Sequence, residues 1–319
     1  MSRVVVVGGS GHVGTYLVPR LVEAGHEVIN VARGERTPYQ PHAAWKSVRV
    51  VIARRDVEDH AGTFAQRIRS LKPDIVIDMI CFTLPSAEQL VGALRGEIQH
   101  FLHAGTIWVH GPSAIVPTTE AQPRNPIGEY GTRKAAIEAF LLGEARRRGF
   151  PATVVHPGHI VGPGWSPLNP AGHFDDAVFE TIARGAELAI PNFGQETVHH
   201  VHADDVAQLF MRAIARPGAS VGEAFHAVSP AAVSLRGYAE AMYAWFGREP
   251  KVKCVPWPEW KEKHSQEAAT ATWEHIYRSP SCSIAKAVGT IGYGPRYSSL
   301  QAVQESVSWL VEHGQIRID

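Results

Sequence analysis

A dominant sign of charge is the first thing this chain lacks: 31 lysines and arginines stand against 31 aspartates and glutamates, a formal net charge of zero over 319 residues. That balance, without a basic stripe, gives no long-range pull toward a polyanion or an anionic bilayer, so neither nucleic acid nor a membrane is expected as a partner. Cysteine is scarce and odd in number. Cys81, Cys254 and Cys282 have no metal-ligand spacing, which excludes a disulfide framework and fits a reducing cytoplasm. No apolar run approaches a membrane span, and the first residues lack a basic segment followed by an apolar core and cleavage site, so a cytoplasmic protein is expected. Histidine is the one surplus, at seventeen. The stretch "HHVHADD" (199–205) would put His200 and His202 on one face of a strand, but spacing supplies no third or fourth ligand, and no metal site is expected.

What the chain does have is alternation. Short β-rich runs ("RVVVVGG", "HEVINVAR", "VRVVIAR", "DIVIDMI", "HFLHAG", "ATVVHPGHIVG") are separated by helical patterns, among them "GTYLVPRLVEAG", "SAEQLVGALRG" and "YGTRKAAIEAFLLGEARRRG". Strands and helices in this order predict right-handed βαβ units: an α/β fold with a doubly wound parallel sheet, covered on both faces. From about Trp165 the pattern loosens into a smaller, mixed C-terminal lobe. The expected division is 1–164 for the sheet domain, with 196–216 packing back onto it, and 165–195 with 217–319 for the second lobe. The segment "LQAVQESVSWLVEHG" reads as a final amphipathic helix.

Within "VVVVGGSGHVG" three glycines, Gly8, Gly11 and Gly14, fall between the first strand and the first helix. A glycine-rich strand-to-helix turn is costly in backbone entropy. It is explained if a dinucleotide pyrophosphate rests on the exposed N–H groups and the positive end of the helix: Gly8 for the tight turn, Gly11 for close approach, Gly14 for packing of helix on sheet, with His12 and Val13 alongside. At the end of the second strand, where an acidic residue would bind a ribose hydroxyl, stand Ala32 and Arg33. Arg33 is able to pair with a 2′-phosphate, so NADP is favoured over NAD. Asp56 and Val57, after the third strand, are expected near the adenine.

In "EYGTRKAAIEAF", Tyr130 and Lys134 are four apart on a helix and share a face. A tyrosine is a poor acid–base group at neutral pH unless a neighbouring cation stabilises its phenolate, which Lys134 would do while also reaching the cofactor ribose. Thr106, at the end of the strand "HFLHAG", would reach the carboxyl edge of the sheet, where its hydroxyl can orient a substrate oxygen.

Together these residues resemble the extended short-chain dehydrogenase/reductases, the NAD-dependent epimerase/dehydratase group. The likeness rests on Gly8-x-x-Gly11-x-x-Gly14, Thr106, Tyr130-x-x-x-Lys134, "HPGHIVGPG" (156–164), "VHADDVA" (201–207) and "SIAKAVGTIGYGP" (283–295). It implies a Rossmann domain and a catalytic triad of Thr106, Tyr130 and Lys134. It also implies that Pro157 to His159 lie beside the nicotinamide, and that a homodimer forms through "SAEQLVGALRG" and the Tyr130 helix.

Departures narrow the activity. Sugar 4,6-dehydratases of the group carry an acidic pair after the threonine; here Ile107 and Trp108 stand there, so a dehydratase is not expected. Epimerases of the group carry an arginine before the "DD" pair and an arginine and asparagine in the segment matching "HPGHI". Val198, His156 and His159 replace them, leaving Arg278 or Arg296 as candidate anion clamps. Cys81, Phe82, Trp108, His159 and Trp165 would form a semi-aromatic substrate pocket with few charges. The reading is an NAD(P)-dependent oxidoreductase moving a hydride between nicotinamide and a small-molecule carbonyl or secondary alcohol. The alternatives are a sugar or nucleotide-sugar epimerase that retains NAD, and a non-catalytic dinucleotide- or RNA-binding relative.

Overall fold

The computed structural model describes residues 1–318. Its centre is a seven-stranded, wholly parallel sheet. The strands are β1 (Arg3–Val7), β2 (Glu27–Ala32), β3 (Arg49–Ile52), β4 (Ile75–Asp78), β5 (His100–Ala104), β6 (Ala152–Pro157) and β7 (Ala224–Ala227), in the order β7-β6-β5-β4-β1-β2-β3. The valine run of β1 is continuous because both faces of a central parallel strand are buried. Val4 and Val6 enter the core on one side, with α1 (His12–Glu23) and α4 (Ala203–Ala215). Val5 and Val7 enter the other, with α2 (Leu84–Leu94) and α3 (Gly128–Arg148). That division is the two-residue period of a strand read directly from packing.

Strand order reverses between β1 and β4, so the chains leaving their carboxyl ends diverge and open a crevice there. A separate apolar core gathers Trp260, Tyr238, Tyr243, Phe179 and part of α6 (Ser299–Glu312). It surrounds the parallel pair Leu188–Pro191 and Val252–Val255, and α5 (Gln266–Arg278) contributes Ile276.

The expected assignment of all of 217–319 to the second lobe differs from what is seen at two places. Ala224–Ala227 is the edge strand beside β6, and Ala287, Ile291 and Tyr293 pack in the core shared by α1 and α4. No helix among the described residues is long and apolar enough to cross a membrane.

Candidate active site

The glycine turn sits at the reversal point of the sheet. Gly8 has φ +87°, a left-handed conformation that disfavours side chains, and its N–H donates to Val31 O at 2.8 Å. The turn is shaped by a residue outside it: Asn30, buried on β2, accepts the Gly9 N–H at 3.0 Å and donates to Ser10 Oγ at 2.8 Å. A lone amide inside the apolar strand "HEVINVAR" was the available signal. A Cβ on Gly14 would fall inside the carbonyl of Gly9, whereas one on Gly11 would meet only Gly8 O at 3.4 Å. The first turn of α1 has no side-chain cap, so its N–H groups remain for an anion. Val13 and His12 are buried in that turn. The His12 ring stacks on Trp165 at 4.9 Å, and burial pushes its pKa down to about 3.

From this turn a cavity of about 790 Å³ extends past the end of β2, lined among others by Gly8, Gly11, Arg33, Arg36 and Asp56. The open approach at Gly11, the uncapped helix and the size of the cavity fit a dinucleotide. Arg33 is half-exposed and pairs with Glu35 at 3.2 Å. Asp56 is exposed on the cavity wall, whereas Val57 is half-exposed and does not line it. The residue next to Asp56 is more deeply engaged. Arg55 is buried, with Asp78 at 2.5 Å and Asp59 at 3.3 Å.

Tyr130 and Lys134 lie one turn apart on α3, as their spacing requires. Thr106 ends the segment after β5 and caps the short turn Ile107–His110, its Oγ1 accepting the Trp108 N–H at 3.3 Å. Burial raises the Tyr130 phenol, and a hydrogen bond with the Thr106 side chain pulls it back in part. Lys134 is buried and donates to Ala104 O at 2.7 Å and Cys81 O at 2.8 Å, with Nζ 6.0 Å from the Tyr130 ring centre. Burial lowers its pKa to about 8, partly offset by Cys81 and Asp78. A hydroxyl, a phenol and an ammonium thus meet at the carboxyl end of β5.

The expected substrate residues divide. Trp108 lies edge-on to Tyr130 at 6.0 Å and to His275 at 5.4 Å; His159 is 4.9 Å from His275, and Phe174 is 5.6 Å from it. Phe82 is half-exposed beside Tyr130 at 6.5 Å. His275 and Phe174 join the group unannounced, because residues so distant in sequence carry no local pattern. Two expected members fall outside it. Cys81 is buried, its thiol pushed up to about 11 by burial, and it serves the site through its carbonyl. Trp165 packs on His12 and Tyr39 beside the glycine turn. Pro157 ends β6, and a Cβ on Gly158 would strike His199 O, so the chain there is pressed against its neighbour.

His159 Nδ1 faces His199 O at 3.2 Å, and its Nε2 is buried without a partner. Burial, reinforced by His275 and His200, holds it well below the usual histidine range, and burial takes His275 down to about 4. Both rings are neutral at pH 7. His200 and His202 form the expected strand, but His200 bonds Leu168 O and His202 accepts the Asp204 N–H. Among the described residues no group of three or more His, Cys, Asp or Glu is arranged to hold a metal ion.

With this geometry in place the comparisons are decisive. The NAD dependent epimerase/dehydratase family model matches residues 4–227. The chain belongs to that family. It is an enzyme of the extended short-chain dehydrogenase/reductase type, and NAD-dependent chemistry is the family's. It is 27% identical to a 2′-dehydrokanamycin reductase of Streptomyces kanamyceticus over 279 residues, 86% of this chain and 76% of that one. It is also 27% identical to a UDP-glucose 4-epimerase of Streptomyces lividans over 244 residues, 68% of this chain and 73% of the other. Its fold superposes on a UDP-glucose 4-epimerase of Thermotoga maritima solved with UDP-glucose, with TM-score 0.72 and 20% identity over 98% of this chain and 99% of that one.

The two arginines named as candidate anion clamps, Arg278 and Arg296, both have partners within the fold, although Arg278 Nε is buried without one. Arg278 is buried over Trp108, 3.8 Å from the ring centre, and donates to Glu274 O at 2.6 Å and Ile127 O at 2.8 Å. Arg296 pairs with Asp204 in the first turn of α4, and its N–H is held by Asp205 at 2.8 Å.

Proposed function

We propose that this family member is a reductase, or dehydrogenase in reverse, for which the dinucleotide is a consumed cosubstrate. Its second substrate is a small carbonyl or secondary alcohol without a diphosphate. The observation that carries the choice over an epimerase is the engagement of Arg278: its guanidinium spends two N–H groups on main-chain carbonyls and its face on Trp108. A nucleotide-sugar diphosphate needs a bidentate cation, and the aromatic cluster of Phe82, Trp108, Tyr130, His159, Phe174 and His275, in which Phe82, Tyr130 and Phe174 are half-exposed, offers aromatic faces instead. Such a surface suits an uncharged or amine-bearing hydroxylated ring.

Gly8, Gly11, Gly14, His12, Val13, Arg33 and Asp56 would hold the dinucleotide, and Pro157 and His159 would border its nicotinamide. When bound, that group supplies the hydride chemistry. Tyr130 moves the proton at the substrate oxygen. Thr106 Oγ1 accepts from the Trp108 N–H, and its hydroxyl, next to Tyr130, would donate to that oxygen and hold it in line. The charge of Lys134 favours the phenolate of Tyr130. The acidic pair needed for dehydration is replaced by buried Ile107 and by Trp108.

NADP is preferred on this reading, because Ala32 stands where an acidic residue would bind the ribose and Arg33 and Arg36 line the cavity beside it, the nearby Glu35 carboxylate being paired with Arg33. Free thiols at Cys81, Cys254 and Cys282 support a reducing cytosol. The partly buried Phe140 and Leu142 on α3, beside α2, support a homodimer through those helices, checked by light scattering.

The test is NADPH oxidation with a panel of cyclic ketones, aminoglycoside ketones and UDP-sugars. Consumption of NADPH with an uncharged or amine-bearing ketone is expected. Interconversion of UDP-glucose and UDP-galactose without net cofactor change would overturn the proposal.

A further inference from the structure

Helix α3 presents Tyr130, Lys134 and Glu138 at successive four-residue steps; Lys134 bonds Ala104 O directly, and Glu138 reaches Thr106 through His156. Glu138 has no place in the mechanism above, yet it is 3% exposed. Its Oε1 lies 3.0 Å from His156 Nε2, and His156 Nδ1 accepts the Thr106 N–H at 3.0 Å. Because Nδ1 must accept from an amide, the ring proton is on Nε2 and is donated to the carboxylate. Arg124 grips that carboxylate with two bonds, Nε to Oε2 at 2.9 Å and Nη2 to Oε1 at 2.6 Å. The guanidinium is itself fixed by Glu120 O at 2.9 Å and Gln122 O at 2.7 Å. A Cβ at residue 105 would run into His156 Nδ1, so Gly105 is what lets the ring approach.

We propose that His156, Glu138 and Arg124 are positioning residues that fix Thr106 from behind: the imidazole holds its N–H, and the ion pair holds the imidazole in one tautomer and orientation. The arrangement resembles the way a carboxylate orients a histidine in other catalytic constellations, except that here the histidine acts on the backbone of the residue that holds the substrate oxygen. With its N–H clamped, Thr106 is free to rotate only about its side-chain bond, and the Trp108 N–H directs the hydroxyl. Desolvation would favour a neutral Glu138, but His156 and Arg124 outweigh it and hold the carboxyl well below the usual range. The carboxylate of Glu138 is therefore ionised opposite Arg124 over the whole neutral range.

The inference rests on Thr106 being the oxygen-holding residue, and the experiment separates the two. ¹⁵N spectra of histidine-labelled protein are expected to show His156 as the Nε2–H tautomer. His156→Asn keeps an acceptor at the Nδ1 position, while His156→Gln keeps its amide near Nε2 and has no acceptor at the Nδ1 position. Thr106 amide exchange is expected to stay near wild type in the first and to accelerate about tenfold in the second, as loss of one buried hydrogen bond implies, with Leu102 in β5 unchanged. Glu138→Gln is the reserve should His156→Gln fail to fold, with the same expected acceleration at Thr106. An Nδ1–H tautomer, or equal Thr106 exchange in all variants, overturns the clamp whatever the activity. With a ketone that the NADPH screen selects, His156→Gln should lower kcat about tenfold with KM nearly unchanged, and should cost nothing further in a Thr106→Ala background. Equal losses in both backgrounds would overturn action through Thr106. The expected tautomer and exchange in an enzyme that reduces no ketone would leave the clamp standing and refute the reductase.

Discussion

The ammonium of Lys134 lies 2.7 Å from the carbonyl oxygen of Ala104, two residues before Thr106. One buried cation therefore ties the helix bearing Tyr130 to the strand end bearing Thr106, with Nζ 6.0 Å from the Tyr130 ring centre. The same burial has a thermodynamic consequence, because it lowers the Lys134 pKa from 10.5 to about 8.

Between pH 8 and 10.5 the unfolded chain keeps this proton and the native chain has lost it, so stability from this group rises with pH across that window. Wild-type protein should gain about 2 kcal/mol relative to Lys134→Met between pH 7 and pH 9.5, measured by urea unfolding at both values. A difference independent of pH would mean the lysine titrates normally in the fold.

Tyr130→Phe and Thr106→Ala should each fold and bind cofactor, since neither side chain sits in the apolar core. Each should lower kcat by roughly 10² or more, as loss of acid–base or oxygen-holding groups does. Single-turnover NADPH oxidation checks this, and near-normal rates would remove that residue from the mechanism.

The glycines make opposite predictions. Gly14→Ala drives a methyl into the Gly9 carbonyl and should lower stability by about 2 kcal/mol or more, visible as a fall in Tm. Gly11→Ala meets only Gly8 O at 3.4 Å and should keep its Tm while weakening NADPH binding at least tenfold by calorimetry, because the added methyl stands where the phosphates approach. Unchanged binding in Gly11→Ala would move the pyrophosphate elsewhere.

Arg33 separates the cofactors. Arg33→Ala should weaken NADPH binding about tenfold, the worth of one exposed phosphate contact, and leave NADH within about twofold. Fluorescence titration with both nucleotides measures it. Equal losses would mean that Arg33 contacts the adenosine common to both.

What could be read in the sequence was whatever depends on local spacing. The valines before Gly8, the glycines at three-residue intervals and the Tyr130–Lys134 step each encode a strand, a turn or a helix face, and each is found where it was expected. The rest arises from residues far apart in the chain. Asn30 shapes the glycine turn from β2, Arg55 meets Asp78 across 23 positions, and Arg278 lies over Trp108 from the other lobe. "AFHA" at 224–227 is too short to distinguish an edge strand from lobe structure. Trp165, close to "HPGHI" in sequence, packs on His12 because Gly162 and Gly164, both at positive φ, turn the chain toward α1.

The most direct test of the central claim is the cofactor balance of purified enzyme. Protein denatured after purification should release little nucleotide, and on mixing fresh enzyme with NADPH and a reducible ketone the 340 nm absorbance should fall by one equivalent per alcohol formed. Nucleotide recovered at one per chain, with UDP-glucose and UDP-galactose interconverted at constant 340 nm absorbance, would contradict the account.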